Sequence, residues 1–313
     1  MYSHLCLLVA FLSAAACAVE APTVQQLQEN PQLLQQLYEP AKSPIVQEYY
    51  FRGYLAPGTP QPDSVPPEYY NQDLYVVRDG SQVLYIKKMA FRHPDLSVEN
   101  VTAGESVLCL ANPSGGNGWN ANPWFVVARN PLALLGQVSG PGDPDQDEQN
   151  DLVVIEDVWE SGWPQLDHVE APAAIVFMRV DQHRLIPDDE RNSRWAQTKV
   201  RTINETIKQV QPGAAAAFAA GKPAPPTLFS GILLKLLYYR IWGQNELGWE
   251  EFKKDLRLFD EKLFPVARFV PGKGEVPTTP IEDIEKYAAE TFEQRGDFKT
   301  WLTNYVSTPL TRH

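Results

Sequence analysis

The chain has 313 residues, of which 43% are hydrophobic and 11% aromatic, so it carries enough apolar material for one large core or two smaller ones. Acidic residues outnumber basic ones by 39 to 27, which gives a formal net charge of −12. This composition excludes disorder over most of the chain. The negative charge and the lack of long Lys or Arg runs argue against nucleic acid and anionic membranes as partners.

The first 18 residues have the pattern of a secretory signal peptide. An apolar stretch from Leu5 to Ala16 is followed by small residues, with Ala16 and Ala18 placed for cleavage before Val19. A lipoprotein signal that lipidates Cys17 is the alternative, but no Lys or Arg precedes the apolar stretch. No later segment reaches the roughly 18 uncharged apolar residues of a transmembrane helix. We therefore predict a secreted, extracellular protein without a transmembrane segment.

Cleavage after Ala18 leaves one cysteine, Cys109, in the mature chain, so an internal disulfide is excluded. Cys109 lies in the apolar run ESVLCLA, which is typical of a strand in which a free thiol packs as a small hydrophobe. Pairing between chains, or a reactive thiol, is the alternative. Two Asn-X-Thr sequons, at Asn100 and Asn204, are candidate glycosylation sites and fit a secreted glycoprotein.

Residues 19–44 form a Gln- and Pro-rich N-terminal arm. Four leucines fall on one side of a short helix that Pro31 interrupts, and we expect the arm to pack on the body of the protein through them. These are Leu27, Leu33, Leu34 and Leu37.

Residues 45–187 consist of short apolar or alternating runs separated by turn residues, which is typical of an antiparallel β domain. Asp79-Gly80 separates two β-rich runs and predicts a hairpin, because Gly accepts the positive φ of a tight turn. Asn130-Pro131 predicts a second turn. Strands and helices do not alternate here, which argues against a parallel nucleotide-binding sheet. We predict a sandwich or barrel-like body.

Residues 188–313 change to helical periodicity. The first helix carries a narrow apolar seam and is predicted to end at Pro212-Gly213; further helices are predicted within 227–243, 246–264, 279–292 and 297–306. The seam residues are Ala196, Val200, Ile203, Ile207 and Val210. A coiled-coil contact with another chain is the alternative to packing on the protein's own core. The whole chain is thus predicted to be α+β, with an all-α C-terminal region of four to five helices.

An acidic loop, GPGDPDQDEQND, spans Gly140 to Asp151. Counted from Asp145 it matches part of the EF-hand order, but Asn150 occupies the Gly position and neither flank is helical. Four carboxylates are candidate calcium ligands if the loop curls: Asp143, Asp145, Asp147 and Asp151. A solvated turn between two strands is the default interpretation, because Asp and Asn side chains bond to nearby backbone groups.

Two Trp-bearing segments, ANPSGGNGWNANPWF and EDVWESGWPQ, flank the acidic loop. An exposed indole beside amide and carboxylate groups suits a sugar, since the ring offers an apolar face and the polar groups take hydroxyls. The alternative is that each Trp folds back onto the core. The candidate ligand-binding residues are Trp119, Asn120, Asn122, Trp124, Trp159 and Trp163.

No catalytic motif stands out, since the mature histidines, His93, His168, His183 and His313, form no metal-binding pattern and no nucleophile elbow is present. The predicted function is an acidic secreted protein that binds a glycan or a protein partner through its Trp loops. A carbohydrate-active hydrolase that uses Asp157 and Glu160 on the same surface is one alternative. A structural or storage component of an extracellular matrix or secretion is the other.

Overall fold

The computed structural model describes residues 23–30, 33, 45–46, 49–54, 71–79, 82–90, 97–111, 123–158, 171–219, 226–257, 266–270, 272, 274–278 and 281–311. Antiparallel sheets occupy the N-terminal half and helices follow in the C-terminal half, which confirms the predicted α+β order. In these ranges no helix is both long and apolar enough to cross a membrane. The predicted signal peptide lies outside them.

A short helix, α1 (Val24–Glu29), opens the described structure. It begins with a capping box, in which the Gln26 amide donates to Thr23 Oγ1 (3.2 Å) and the Thr23 amide donates to Gln26 Oε1 (2.8 Å). Leu27 is buried against Tyr75 and Val77 of the first sheet, so the expected contact of the arm with the body is present. Leu33 packs on the same cluster, whereas Leu34 and Leu37 lie outside the described residues.

Three antiparallel meanders follow. Sheet I contains β1 (Ile45–Val46), β2 (Tyr49–Tyr54), β3 (Asn71–Arg78) and β4 (Gln82–Ala90). Sheet II contains β5 (Val98–Ala103), β6 (Glu105–Ala111), β7 (Trp124–Arg129) and β8 (Leu132–Val138). Sheet III contains β9 (Gly140–Gly142), β10 (Asp151–Glu156), β11 (Ala174–Asp181) and β12 (Arg184–Pro187). The predicted turns at Asp79 and Asn130 join β3 to β4 and β7 to β8.

Sheets II and III are connected by one bent strand, because only Ser139 separates β8 from β9. Before the bend, Val138 pairs with Trp124 of β7; after it, Gly140 pairs with Val153 of β10. The strands β5 to β12 therefore form a continuous meander that folds back on itself, with its core between the two sheets. The two outer strands of this meander are β5 and β12.

Sheet II is covered on both faces. Leu108 and Leu110 of β6 face sheet I, while Val107 and Cys109 face sheet III, which explains the uninterrupted apolar run. Cys109 is a free thiol with no exposed surface, and burial, aided by the charge of Glu99, raises its pKa to about 12. Such a thiol is neither reactive nor accessible to another chain in the folded protein.

The helical region consists of α2 (Asp189–Ala219), α3 (Pro226–Ile241), α4 (Asn245–Leu256), α5 (Ile281–Arg295) and α6 (Phe298–Thr311), with a hairpin of β13 (Val266–Val270) and β14 (Gly274–Thr278) between α4 and α5. The apolar seam of α2 packs against α3 and Ala174 of β11, so it belongs to the protein's own core. The five helices in the described part of this region agree with the predicted four to five.

Two features differ from the sequence prediction. The helix predicted to end at Pro212-Gly213 continues to Ala219. Proline removes one backbone hydrogen bond, but the alanine-rich run that follows has the highest helix propensity and sustains the helix. The hairpin β13–β14 was not anticipated, although VARFV followed by PGKG is a β-rich run before turn residues.

The last helix, α6, crosses β8 at Gly136. This glycine has φ +149°, and a Cβ atom there would lie 2.6 Å from the carbonyl oxygen of Val306. A side chain at this position would therefore push α6 away from the strand. The close approach lets Leu302 and Val306 enter the core between sheets II and III, beside Met178 of β11.

Candidate functional site

A groove of about 370 Å³ opens between β8, β12 and α6. Its volume falls in the range of roughly 300–1,000 Å³ that is usual for small-molecule sites. Most of its lining is apolar and comes from both sheets and the helix: Leu134, Leu135, Met178, Leu185, Leu302 and Val306. Thr303 and Ser307 add hydroxyl groups from α6, and His183 and Arg184 stand on its rim.

The rim is held by the hairpin between β11 and β12. Gln182 and His183 both have positive φ, +48° and +57°, as a two-residue type I′ turn requires. His183 Nδ1 lies 2.9 Å from Glu105 Oε2, and the His183 amide donates to Glu105 Oε1 at 3.2 Å. Next to Glu105, Gly104 has φ +84°, and a Cβ atom there would lie 2.4 Å from a carbonyl oxygen of β11. These contacts fix the position of Arg184, the first residue of β12.

The acidic loop is a turn between β9 and β10, as the default interpretation expects. Asp143 accepts hydrogen bonds from the amides of Asp147 and Glu148, both at 2.9 Å. Asp147 in turn accepts one from the Gln149 amide at 3.0 Å. The carboxylates thus stabilise the loop's own backbone, which is the usual role of Asp in exposed turns.

Three of the four candidate calcium ligands lie together, since oxygens of Asp143, Asp145 and Asp147 are within 4.8 Å of one another. Asp151 binds Arg191 of α2 instead, through both of its carboxylate oxygens. Arg191 also reaches Asp145 Oδ2 at 2.7 Å. The guanidinium therefore joins the acidic loop to the helical region and places a positive charge beside the carboxylate cluster. Calcium binding at Asp143, Asp145 and Asp147 stays a prediction.

Of the six candidate ligand-binding residues, Trp124 falls within the described ranges, at the start of β7, where it is half-buried. Its indole lies against Gly140, where a Cβ atom would be 3.4 Å from two ring atoms. Trp124 therefore contacts the start of the acidic loop, and it also packs against the core between sheets II and III. Trp119, Asn120, Asn122, Trp159 and Trp163 lie outside the described residues.

The two candidate glycosylation sites lie in different surroundings. Asn100 is exposed on the outer strand β5, whereas Asn204 is half-buried on α2. Both positions are thus in regular secondary structure. Among the four histidines of the predicted mature chain, His183 stands on the groove rim, and the other three lie outside the described residues.

A buried charged cluster at the end of β10 was not singled out from the sequence. Glu156 is completely buried, with Oε1 3.3 Å from Nε of Arg295, and Asp157 Oδ1 lies 3.2 Å from Nη2 of the same arginine. Burial raises the pKa of Glu156 to about 7, although the charges of Arg295 and Arg240 oppose this shift. Within the described part of the chain, neither carboxylate oxygen of Glu156 has a hydrogen bond of good geometry.

The hydrolase alternative named Asp157 and Glu160. Asp157 is paired with Arg295, and Glu160 lies outside the described residues. Glu156, next to Asp157 in the chain, has a raised pKa, and the position of this acidic pair within the apolar run LVVIEDVW was the available signal. Because Glu156 has no exposed surface, its chemistry concerns the stability of the fold rather than a bound substrate.

Comparisons of the chain with protein-family models, with curated proteins and with solved structures found no match.

Proposed function

We propose that the protein is a secreted, extracellular binding protein that holds a small, largely apolar ligand in the groove between β8, β12 and α6. The groove itself carries the proposal, because eight apolar side chains from four elements, β8, β11, β12 and α6, line one concavity of about 370 Å³.

The groove is preformed. Met178, Leu302 and Val306 belong both to its lining and to the core between sheets II and III, so their positions are set by packing. The close contact of α6 with Gly136 fixes the helix against β8. A ligand thus gains apolar burial, about 25 cal/mol for each Å², without having to order the walls that receive it.

Filling the groove is expected to abolish binding of a neutral apolar probe. Thr303 lines the groove and is exposed, so Thr303→Trp places an indole in its mouth without entering the core. Asn304 is exposed on the same helix but does not line the groove, and Asn304→Trp is the matched control. We expect octanol to raise the melting temperature of the mature wild type and of Asn304→Trp, but not of Thr303→Trp. Equal shifts in all three proteins would contradict the proposal.

A second candidate function is the recognition of a glycan or protein partner at the contact between Trp124 and Gly140. The contact joins a half-buried indole to the base of the acidic loop, which combines an apolar ring with carboxylate groups. This juxtaposition favours the second candidate function. Calcium held by Asp143, Asp145 and Asp147 would add a cation to the same loop.

A glycan array with the purified mature protein tests this second candidate. We expect a signal that weakens in Trp124→Phe, since a smaller ring offers less stacking area. If calcium takes part, EDTA and Asp147→Asn remove the signal, while Glu148→Gln, the same charge change in the same loop, preserves it. The absence of signal from the wild type would exclude glycan recognition, and an unchanged signal in EDTA would exclude a calcium-dependent form.

A further inference from the structure

We infer that the ligand of the groove is an aliphatic carboxylate, bound with its acidic head at Arg184 and its hydrocarbon chain along the apolar lining. The inference rests on the proposed function and adds the chemical class of the ligand. It follows from the way in which the charges of the hairpin between β11 and β12 are paired.

Both carboxylates beside Arg184 are paired with other side chains. Asp181 lies directly opposite Arg184 in the strand register, the position at which a cross-strand ion pair is expected. Asp181 nevertheless pairs with Arg179 of its own strand, with 3.4 Å between Oδ2 and Nη2. Glu105, the other acidic group at this rim, pairs with His183.

The Arg184 guanidinium on the rim is consequently left without these two carboxylates. Its side chain is exposed and lines the groove, and among the residues that the structure describes it has no carboxylate within 4.0 Å. The positive charge therefore lies at the mouth of an apolar concavity, where a ligand rather than a side chain can meet it.

The geometry selects the head group and limits the size of the ligand. A guanidinium presents parallel N–H donors that match the two oxygens of a carboxylate. The lining next to it, formed by Leu185, Leu134 and Leu302, accepts a hydrocarbon chain. A volume of about 370 Å³ is near the lower end of small-molecule sites and fits one chain of moderate length.

Calorimetry on the full mature protein, with octanoate and octanol as matched probes, tests the inference. The two molecules share their hydrocarbon chain length and differ in the charged head. We expect the wild type to bind octanoate about 10-fold more tightly than octanol, the lower end of what a charge-assisted hydrogen bond contributes. Arg184→Gln is expected to remove this preference, so that the variant binds octanoate and octanol with equal affinity, and Arg184→Lys is expected to restore part of it.

Arg201→Gln is the matched control, because the substitution removes the same charge at a residue that is exposed on α2 and does not line the groove. It should leave binding of both probes unchanged. Equal affinities of the wild type for octanoate and octanol, or octanoate binding that survives Arg184→Gln, would overturn the inference while leaving the proposed function intact. Failure of the wild type to bind either probe would overturn both.

Discussion

Replacing Lys235 with Ala is expected to lower the free energy of unfolding by about 3–5 kcal/mol, because it leaves the buried carboxylate of Asp255 without its cation. Lys235 lies on α3 with 2% of its surface exposed. Its Nζ donates to Asp255 Oδ2 at 2.8 Å and to Glu251 Oε2 at 2.9 Å, both on α4. Asp255, itself 6% exposed, would keep a charge that neither water nor a partner stabilises.

The lysine is charged in the folded protein. Burial opposes the charge, but the hydrogen bonds to Asp255 and Glu251 hold the pKa of Lys235 above its usual value. The three groups therefore form one unit that crosses the interface of α3 and α4. Removal of one member is destabilising, whereas replacement of the interacting members by apolar residues of similar volume is far less so.

Urea unfolding of the variants measures this effect. Lys254→Ala is the matched control, because Lys254 also pairs with Glu251, at 3.3 Å, but is 71% exposed. Exposed pairs of this kind contribute about 0–1 kcal/mol. We also expect Lys235→Met combined with Asp255→Leu to be more stable than Lys235→Ala. A loss in Lys235→Ala no larger than that in Lys254→Ala would show that the buried pair is not a stabilising unit.

Local sequence patterns predicted the elements of this fold well, since their signals are carried by neighbouring residues. The hairpin at Asp79, the apolar helix α3 and the seam of α2 all follow from turn chemistry or periodicity within a single segment. The way in which the three sheets stack on one another does not follow from such local patterns. The run around Cys109 indicates burial, but only the folded structure shows that sheets I and III are what cover it.

The groove was not predictable in this way, because its lining comes from segments as distant as Leu134 and Ser307. In the sequence each of these residues has the same pattern as an ordinary core residue. The free charge of Arg184 likewise depends on a competition, in which Asp181 pairs with Arg179 and Glu105 pairs with His183. Composition and spacing do not reveal that Arg184 has no carboxylate partner among the described residues.

The acidic loop shows both what the sequence predicted and what it did not. Its turn residues predicted an exposed connection between strands, and Asp143 fulfils that role. The guanidinium that binds Asp145 and Asp151 comes from α2, from a segment that the loop sequence does not contain. A carboxylate cluster in a sequence therefore does not decide whether a metal binds. The decision also depends on which cationic side chains the fold brings next to the cluster.

Glu156→Gln is expected to remove a pH dependence of stability that the wild type shows near neutrality. In the folded protein, burial raises the pKa of Glu156 from its ordinary value of 4.5 to about 7. Between these two values the folded state binds a proton that the unfolded state has released. The free energy of unfolding therefore falls as the pH rises, by about 2 kcal/mol from this group between about pH 5.5 and about pH 8.

The sign of this effect separates Glu156 from an ordinary ion-paired carboxylate, whose depressed pKa makes a protein more stable as the pH rises. Arg295, Arg240 and Asp157 all act on Glu156, and the two arginines only partly offset its burial. Urea unfolding at both pH values should give a loss at the higher pH in the wild type and in Glu148→Gln, an exposed control. The same loss in Glu156→Gln would assign the pH dependence to another group. If the loss at the higher pH disappears in Glu156→Gln, sheet III buries a carboxyl group that destabilises the fold once it is ionised.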